Sequence, residues 1–329
     1  MQISDIPSDV QNQFFDSEIK SVKTLSGGLL NQSYSASLQD GNKIVLQKIN
    51  PLIASSKYDN YHAAYEHLNA VGWNIPSMIN PASSKSGVVF ADNNGDRWCA
   101  FTQLTNSKWD NDPKSVGRLL GKLHKDLSTL EYTPLGEILI VESDLRVSRL
   151  LEVKDSLPSE DAKKLANNLL EKFGQVDSLP QAKEQLIHAD CKIDNILFED
   201  GVPYTFIGWK TLMQGNIWFD IGDMMRSIAK TQHTLNSKIS CKDISEFMES
   251  YHAINDLGIG YQEFKQKALL SAQHVTIVLA IRYATDYQDG SDGYFAWDNK
   301  NFKSRFEHNQ ARAEQLKHIY NDLAKCLNS

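Results

Sequence analysis

Four cysteines are spread over 329 residues, at positions 99, 191, 241 and 326, with no C-x-x-C pair and no Cys/His ligand spacing. That scarcity argues against a disulfide framework and against a zinc-stapled fold. Long apolar runs are missing too. No stretch of about 18 apolar residues occurs, and the opening MQISDIPSDVQNQFF has no basic head followed by an apolar core. Neither a membrane span nor a secretory leader is expected, and the sequence reads as cytoplasmic. Positive charge is also in short supply: 34 Lys and Arg stand against 41 Asp and Glu, a formal net charge of −7. That balance argues against a nucleic-acid partner and against an anionic membrane surface, both of which call for clustered basic residues. It does not argue against a small anionic ligand, because a local basic pocket can sit in an acidic protein.

What is present is an ordinary globular composition, 41% hydrophobic and 23% charged, in a chain long enough for roughly two lobes. The densest chemistry lies in LIHADCKIDNILFEDGVPYTFIGWKTLMQGNIWFDIGDMMR, residues 186–226. His188, Asp190 and Asn195 fall in the order H-x-D-x-x-x-x-N, the spacing of a kinase catalytic loop, in which the Asp accepts a hydroxyl proton and the Asn holds a magnesium ion. The chemistry requires these types because ATP is a crowded polyanion: charge must be neutralised, the γ-phosphoryl group fixed in line, and one hydroxyl oriented. Asp190 suits the last task, Asn195 offers an uncharged oxygen to Mg²⁺, and Lys192 between them can reach a transferring phosphoryl oxygen. Cys191 reads as a small residue filling the loop. The next residues form a predicted hairpin around Glu199-Asp200-Gly201.

Residues 21–50 alternate apolar and polar around Gly27-Gly28 and Asp40-Gly41, predicting strand, turn, strand. Paired glycines let the backbone approach a phosphate closely, so Gly27 and Gly28 are candidate nucleotide contacts. Lys48, near the end of IVLQKIN, is the candidate for the lysine that pairs with ATP phosphates. Its register is open by one, since Gln47 and Lys48 point to opposite faces of a strand. Glu66, on a predicted helix over 60–69, reads as a surface glutamate. Helices are predicted over 5–20, 113–130, 142–173 with a break at Pro158, 220–230, 242–257, 261–285 and 305–327. Asp220 and Asp223 read as carboxylates favouring a helix N-terminus, and Arg226 suits an ion pair with one of them.

HADCKIDNILF, IGWKTLMQG and FDIGDMMR, with LSGGLLNQSY and IVLQKIN before them and RYATDYQDGSDGYF after, resemble in order the matching stretches of the aminoglycoside phosphotransferase/choline kinase superfamily. The run is most similar to N-acetylhexosamine 1-kinase-like proteins. The resemblance implies an α+β, two-lobed protein-kinase-like fold, with a β-rich nucleotide-binding lobe over 1–104 and a helical lobe over 105–329 carrying the catalytic loop and acceptor site. It implies transfer of the ATP γ-phosphoryl group, with Mg²⁺, to a sugar hydroxyl. It also implies an acceptor pocket from Arg282, Asp286, Tyr287 and Tyr294, whose polar groups suit hydroxyls and whose rings suit sugar faces. One departure stands out. Where the family reads I-D-x-D-T this chain has Ile207-Gly208-Trp209-Lys210-Thr211, so the expected metal-binding Asp is Gly208. If these residues form a strand, 208 and 210 share a face that lacks both carboxylates and gains a cation. Two readings follow: a kinase with an altered charge arrangement, or a catalytically impaired pseudokinase that binds a ligand or regulates.

Overall fold

The computed structural model describes residues 5–25, 31–83, 87–136, 143–232, 239–286 and 301–327. Its N-terminal part is an antiparallel six-stranded sheet in the order β1(Ile19–Leu25), β2(Gln32–Leu38), β3(Lys43–Ile49), β6(Arg97–Thr102), β4(Met78–Ile79), with β5(Phe90–Ala91) also paired to β6. Period-two alternation decides which side chains go where. On the outer face Tyr34, Leu38, Ile44, Leu46 and Trp98 are covered by Ile6, Val10 and Phe14 around α1(Ser8–Phe14). The helix predicted over 5–20 is shorter than expected, because the chain turns extended at Phe15 and enters β1.

The inner face belongs to a different and larger core. Ile49, Cys99 and Phe101 pack with Tyr58, Tyr61, Ala64 and Leu68 of α2(Lys57–Ala70), and that apolar cluster continues into the helical part. There α3(Pro113–Leu127) begins as its sequence dictates: Asp112 accepts hydrogen bonds from the Lys114 and Ser115 amides at 3.0 and 3.3 Å, and Pro113 takes the first helical position. Next come α4(Ser143–Val153), α5(Glu160–Phe173), β7(Gln185–Ile187) and the hairpin β8(Ile196–Glu199), β9(Val202–Phe206). The chain continues through β10(Met213–Gly215), which pairs with β7, to α6(Ile217–Gln232), α7(Cys241–Ile254), α8(Tyr261–Thr285) and α9(Arg305–Cys326). The helix expected to open at Asp220 begins three residues earlier. The loop that carries Asp190, Lys192 and Asn195 lies between β7 and β8, held from below by α6.

One expectation is overturned here. Cys241 at the start of α7 and Cys326 at the end of α9 form a disulfide across 85 residues, with Cα atoms 5.3 Å apart. Wide spacing in sequence says nothing against proximity once two helices are packed side by side. Cys99 and Cys191 are free and buried. No helix among the described residues is long and apolar enough to cross a membrane.

Candidate active site

Asp220 on α6 organises the loop. Its two carboxylate oxygens accept hydrogen bonds from the backbone amides of His188 (2.7 Å) and Ala189 (2.8 Å), and one also lies 3.2 Å from His124 Nε2 on α3. Ala189 is thereby held at φ 60, in the left-handed region that a residue with a Cβ enters only under constraint. Burial alone would raise the Asp220 carboxyl, but His124 and the amide donors more than offset it and hold it below the usual range. Asp220 is fully buried in the first turn of α6, with its oxygens turned to the loop amides. His124, Cys191 and Asp220 offer three ligand atoms within 4.8 Å of one another. Both Asp220 oxygens are already engaged, and burial followed by the neighbouring Asp220 and Asp223 charges pushes the Cys191 thiol far up, so this cluster is a packed hydrogen-bonded core.

His188 sets the next layer. Its Nε2 donates to the Ile207 carbonyl at 2.9 Å and its Nδ1 accepts from the Asp190 amide at 3.2 Å, an arrangement that requires the neutral ring. Burial lowers its pKa accordingly. Trp209, fully buried, packs edge-on against this ring at 4.7 Å and donates to the Phe206 carbonyl. The loop that follows β9 is thus tied to the loop that precedes β8.

The side chains aimed outward are those the sequence singles out. Asp190 is about one-third exposed and takes both of its oxygens to Lys192 Nζ, at 2.9 and 2.8 Å. Asn195 Nδ2 donates to the Asp190 carboxylate and to its carbonyl, both at 2.7 Å. Burial would lower the Lys192 ammonium, but the Asp190 carboxylate outweighs it and holds the pKa up. A carboxylate, a cation and an amide therefore converge at one opening, the arrangement needed to orient a hydroxyl beside a phosphoryl group.

Two sequence readings are corrected. Residues 207–211 are not a strand: β9 ends at Phe206, Gly208 adopts φ 92 and ψ 23, and Trp209–Thr211 form a 3-10 turn. The shared-face argument for 208 and 210 accordingly has no strand to stand on. Lys210 nevertheless reaches the site, since Cys99 of β6, Asp190 and Lys192 all bear on its charge, and burial lowers its pKa. The second correction is the strand register. Lys48 points to the outer face, where it pairs with Asp96 at 2.5 Å and lies 5.9 Å from the Trp98 ring. Gln47 faces inward, opposite Cys99. Its side chain donates to Ser33 Oγ at 3.1 Å and accepts from Asn31 Nδ2 at 3.2 Å, and Asn31 Nδ2 also donates to the Tyr58 hydroxyl of α2 at 3.0 Å. Glu66 is exposed, as its reading as a surface glutamate expects.

A family model described as the phosphotransferase enzyme family, APH, matches residues 21–238, an interval that holds the whole constellation. This chain belongs to that family. A search of curated proteins finds no match. Solved structures share the fold at low identity. An amicoumacin kinase, hAmiN, in complex with AMP-PNP, Ca²⁺ and Ami superposes with TM-score 0.66 at 13% identity, covering 95% of this chain and 92% of that one. The GDP complex of aminoglycoside 2'-phosphotransferase-IIIa gives 0.62 at 14%, covering 97% of each chain. A Plasmodium vivax ethanolamine kinase gives 0.59 at 12%, covering 96% of this chain and 86% of that one.

In this phosphotransferase, charges of both signs stand around the loop. Arg226 pairs with Asp223 at 2.7 Å, both nearly buried, and both feel the Asp190 charge. Lys230 lies beyond; burial lowers its pKa, the nearby Arg312, Arg226 and Lys192 charges add to that, and the Asp194 carboxylate opposes it. Arg312 stands 5.6 Å from the Tyr283 ring. Arg282 and Asp286, at the end of α8, are paired at 3.5 Å and largely buried. Gly27, Gly28, Tyr287 and Tyr294 lie outside the described residues. Sequence reasoning missed the anchoring by Asp220 and the neighbours Lys230 and Arg312, and it left the register between Gln47 and Lys48 open. Asp220 lies in FDIGDMMR and Gln47 in IVLQKIN, but neither stretch gives the residue its role, and only the packing of α6, α9 and β3 brings these groups to the site.

Proposed function

We propose that this family member transfers the γ-phosphoryl group of ATP to a hydroxyl of a small sugar, with Asp190 accepting the hydroxyl proton. The observation that carries the reading is the convergence of Asp190, Lys192 and Asn195 at the mouth of a loop braced by Asp220. As the acceptor oxygen bonds to the γ-phosphorus and the bond to the ADP oxygen breaks, the proton passes to the Asp190 carboxylate. Lys192, paired with Asp190, can follow the charge that develops on the transferring oxygens. The N-terminal sheet over 1–104 would hold the nucleotide and the part over 105–329 the acceptor. The N-acetylhexosamine assignment rests on the family resemblance.

Magnesium does not fit the residues well. The ion is usually held through one or two carboxylates together with substrate phosphates. Here Asn195 offers one neutral oxygen, position 208 has no side chain, Asp220 is fully engaged and Asp223 is paired with Arg226. No step is therefore assigned to a metal.

The test is ATP consumption against a sugar panel. Wild type should phosphorylate at least one sugar, and Asp190→Asn should lose about 10²–10⁴-fold in kcat. Turnover in the variant close to that of wild type would remove Asp190 from its role. An inert wild type rescued by Gly208→Asp would favour the non-catalytic reading.

A further inference from the structure

We infer that Lys210 receives the polyphosphate of a nucleoside triphosphate, standing in both for a lysine on β3 and for a carboxylate-held cation. The inference rests on the proposed phosphotransfer and specifies how its site holds the anion.

Three observations meet at this residue. The inward position of β3, where a phosphate-pairing lysine would stand, is Gln47, and the adjacent Lys48 is committed to Asp96 on the opposite face of the sheet. Gln47 is itself occupied in an uncharged network with Asn31, Ser33 and Tyr58, which joins the sheet to α2 without any ion pair. The inward position of β3 therefore supplies no cation to the space beneath the sheet, and Arg97 of β6, on the same face, is engaged with Ser55 Oγ and the Asn50, Pro51 and Ile53 carbonyls.

Lys210 fills that gap from the other side. It lies on the turn after Gly208, whose Cα faces the Asn195 side chain, in the neighbourhood of Asp190 and of Cys99, the residue paired with Gln47 across β3 and β6. Two neighbouring cations are committed, Lys192 to Asp190 and Arg226 to Asp223. Among the described residues no carboxylate lies within ion-pair distance of the Lys210 ammonium. The Asp190 charge acts on the partly buried Lys210 ammonium from beyond ion-pair distance, and a bound polyanion would supply a closer counter-charge.

Gly208 completes the argument. A Cβ at this position would stand 3.3 Å from Asn195 Nδ2 and 3.6 Å from its Oδ1, so a carboxylate here would reach the space beside Asn195 and bring a negative charge near Lys210. With glycine at 208 the site exchanges an acid that recruits a cation for a cation built into the chain.

The experiment measures dissociation constants for ATP and adenosine by calorimetry, with Mg²⁺ and with EDTA. Lys210→Met should weaken ATP by about 10- to 100-fold and leave adenosine within about twofold. Lys210→Arg should retain most of the ATP affinity, and Lys48→Met should change neither ligand. For wild type, replacing Mg²⁺ by EDTA should change ATP affinity by less than about threefold; this arm holds whether or not the Lys210 variants fold. ATP affinity unchanged in Lys210→Met, a loss confined to Lys48→Met, or a collapse of wild-type binding in EDTA would each overturn the inference. Sugar phosphorylation with ATP binding indifferent to Lys210 would remove this inference alone. ATP binding that depends on Lys210 without phosphorylation of any acceptor would remove the transfer reaction alone.

Discussion

At the scale of single residues, the catalytic loop is held by one carboxylate that never faces the opening. Asp220 satisfies two consecutive amides, and the second belongs to a residue with left-handed backbone. Replacing it by Ala would leave both amides and His124 Nε2 buried with no acceptor. Asp220→Ala is expected to lower stability by about 3–5 kcal/mol, read from urea unfolding, and to lower turnover by misplacing Asp190. Asp190, Lys192 and Asn195 were legible in the sequence because a six-residue loop is a local object whose spacing survives folding. The anchor was not legible. An acidic residue in the first turn of a helix has an adequate local explanation, and only the docking of α6 beneath the loop distinguishes the two roles. The choice between Gln47 and Lys48 failed for a related reason. Alternation says that neighbours face opposite ways, but which way is inward depends on the face that α1 covers.

At the scale of elements, the glycines on α3 show how the helical part closes up. A Cβ at Gly117 would collide with Ser250 Oγ and the Phe247 carbonyl of α7, and one at Gly121 would stand 3.0 Å from the Tyr251 carbonyl. Backbone cannot yield as a flexible side chain can, so Gly117→Ala is expected to cost about 1–3 kcal/mol, visible as a lower Tm. Gly174 provides the contrast. It sits in right-handed helical geometry with ordinary spacing around its Cβ direction, so Gly174→Ala should be neutral or stabilise by about 0.4–1 kcal/mol. The helices themselves were readable from their apolar stripes and caps, with α8 spanning the expected residues. The turn at Trp209–Thr211 was not. β-Branched and aromatic neighbours suggest a strand, while a left-handed glycine at 208 ends it.

At the scale of the whole molecule, the Cys241–Cys326 bond ties α7 to α9 and encloses α8, the helix that fills the centre of the helical part. Cross-linking residues this far apart restricts the unfolded chain more than the folded one. Reduction, or Cys241→Ser, is expected to remove about 2–4 kcal/mol of stability, measured as the shift in urea midpoint with and without dithiothreitol. The two-lobed α+β architecture was expected from the family resemblance, and the antiparallel sheet followed by a helical part agrees with it. The disulfide was not expected, because pairing across packed helices leaves no trace in spacing.

The seam of Gln47, Asn31 and Tyr58 between sheet and helix contains only uncharged groups. Dissolved ions weaken attractions between charges and leave such contacts nearly as they were. Raising ionic strength should therefore loosen the grip on a polyanionic visitor while the scaffold around it keeps its shape, so that salt governs occupancy and leaves architecture alone.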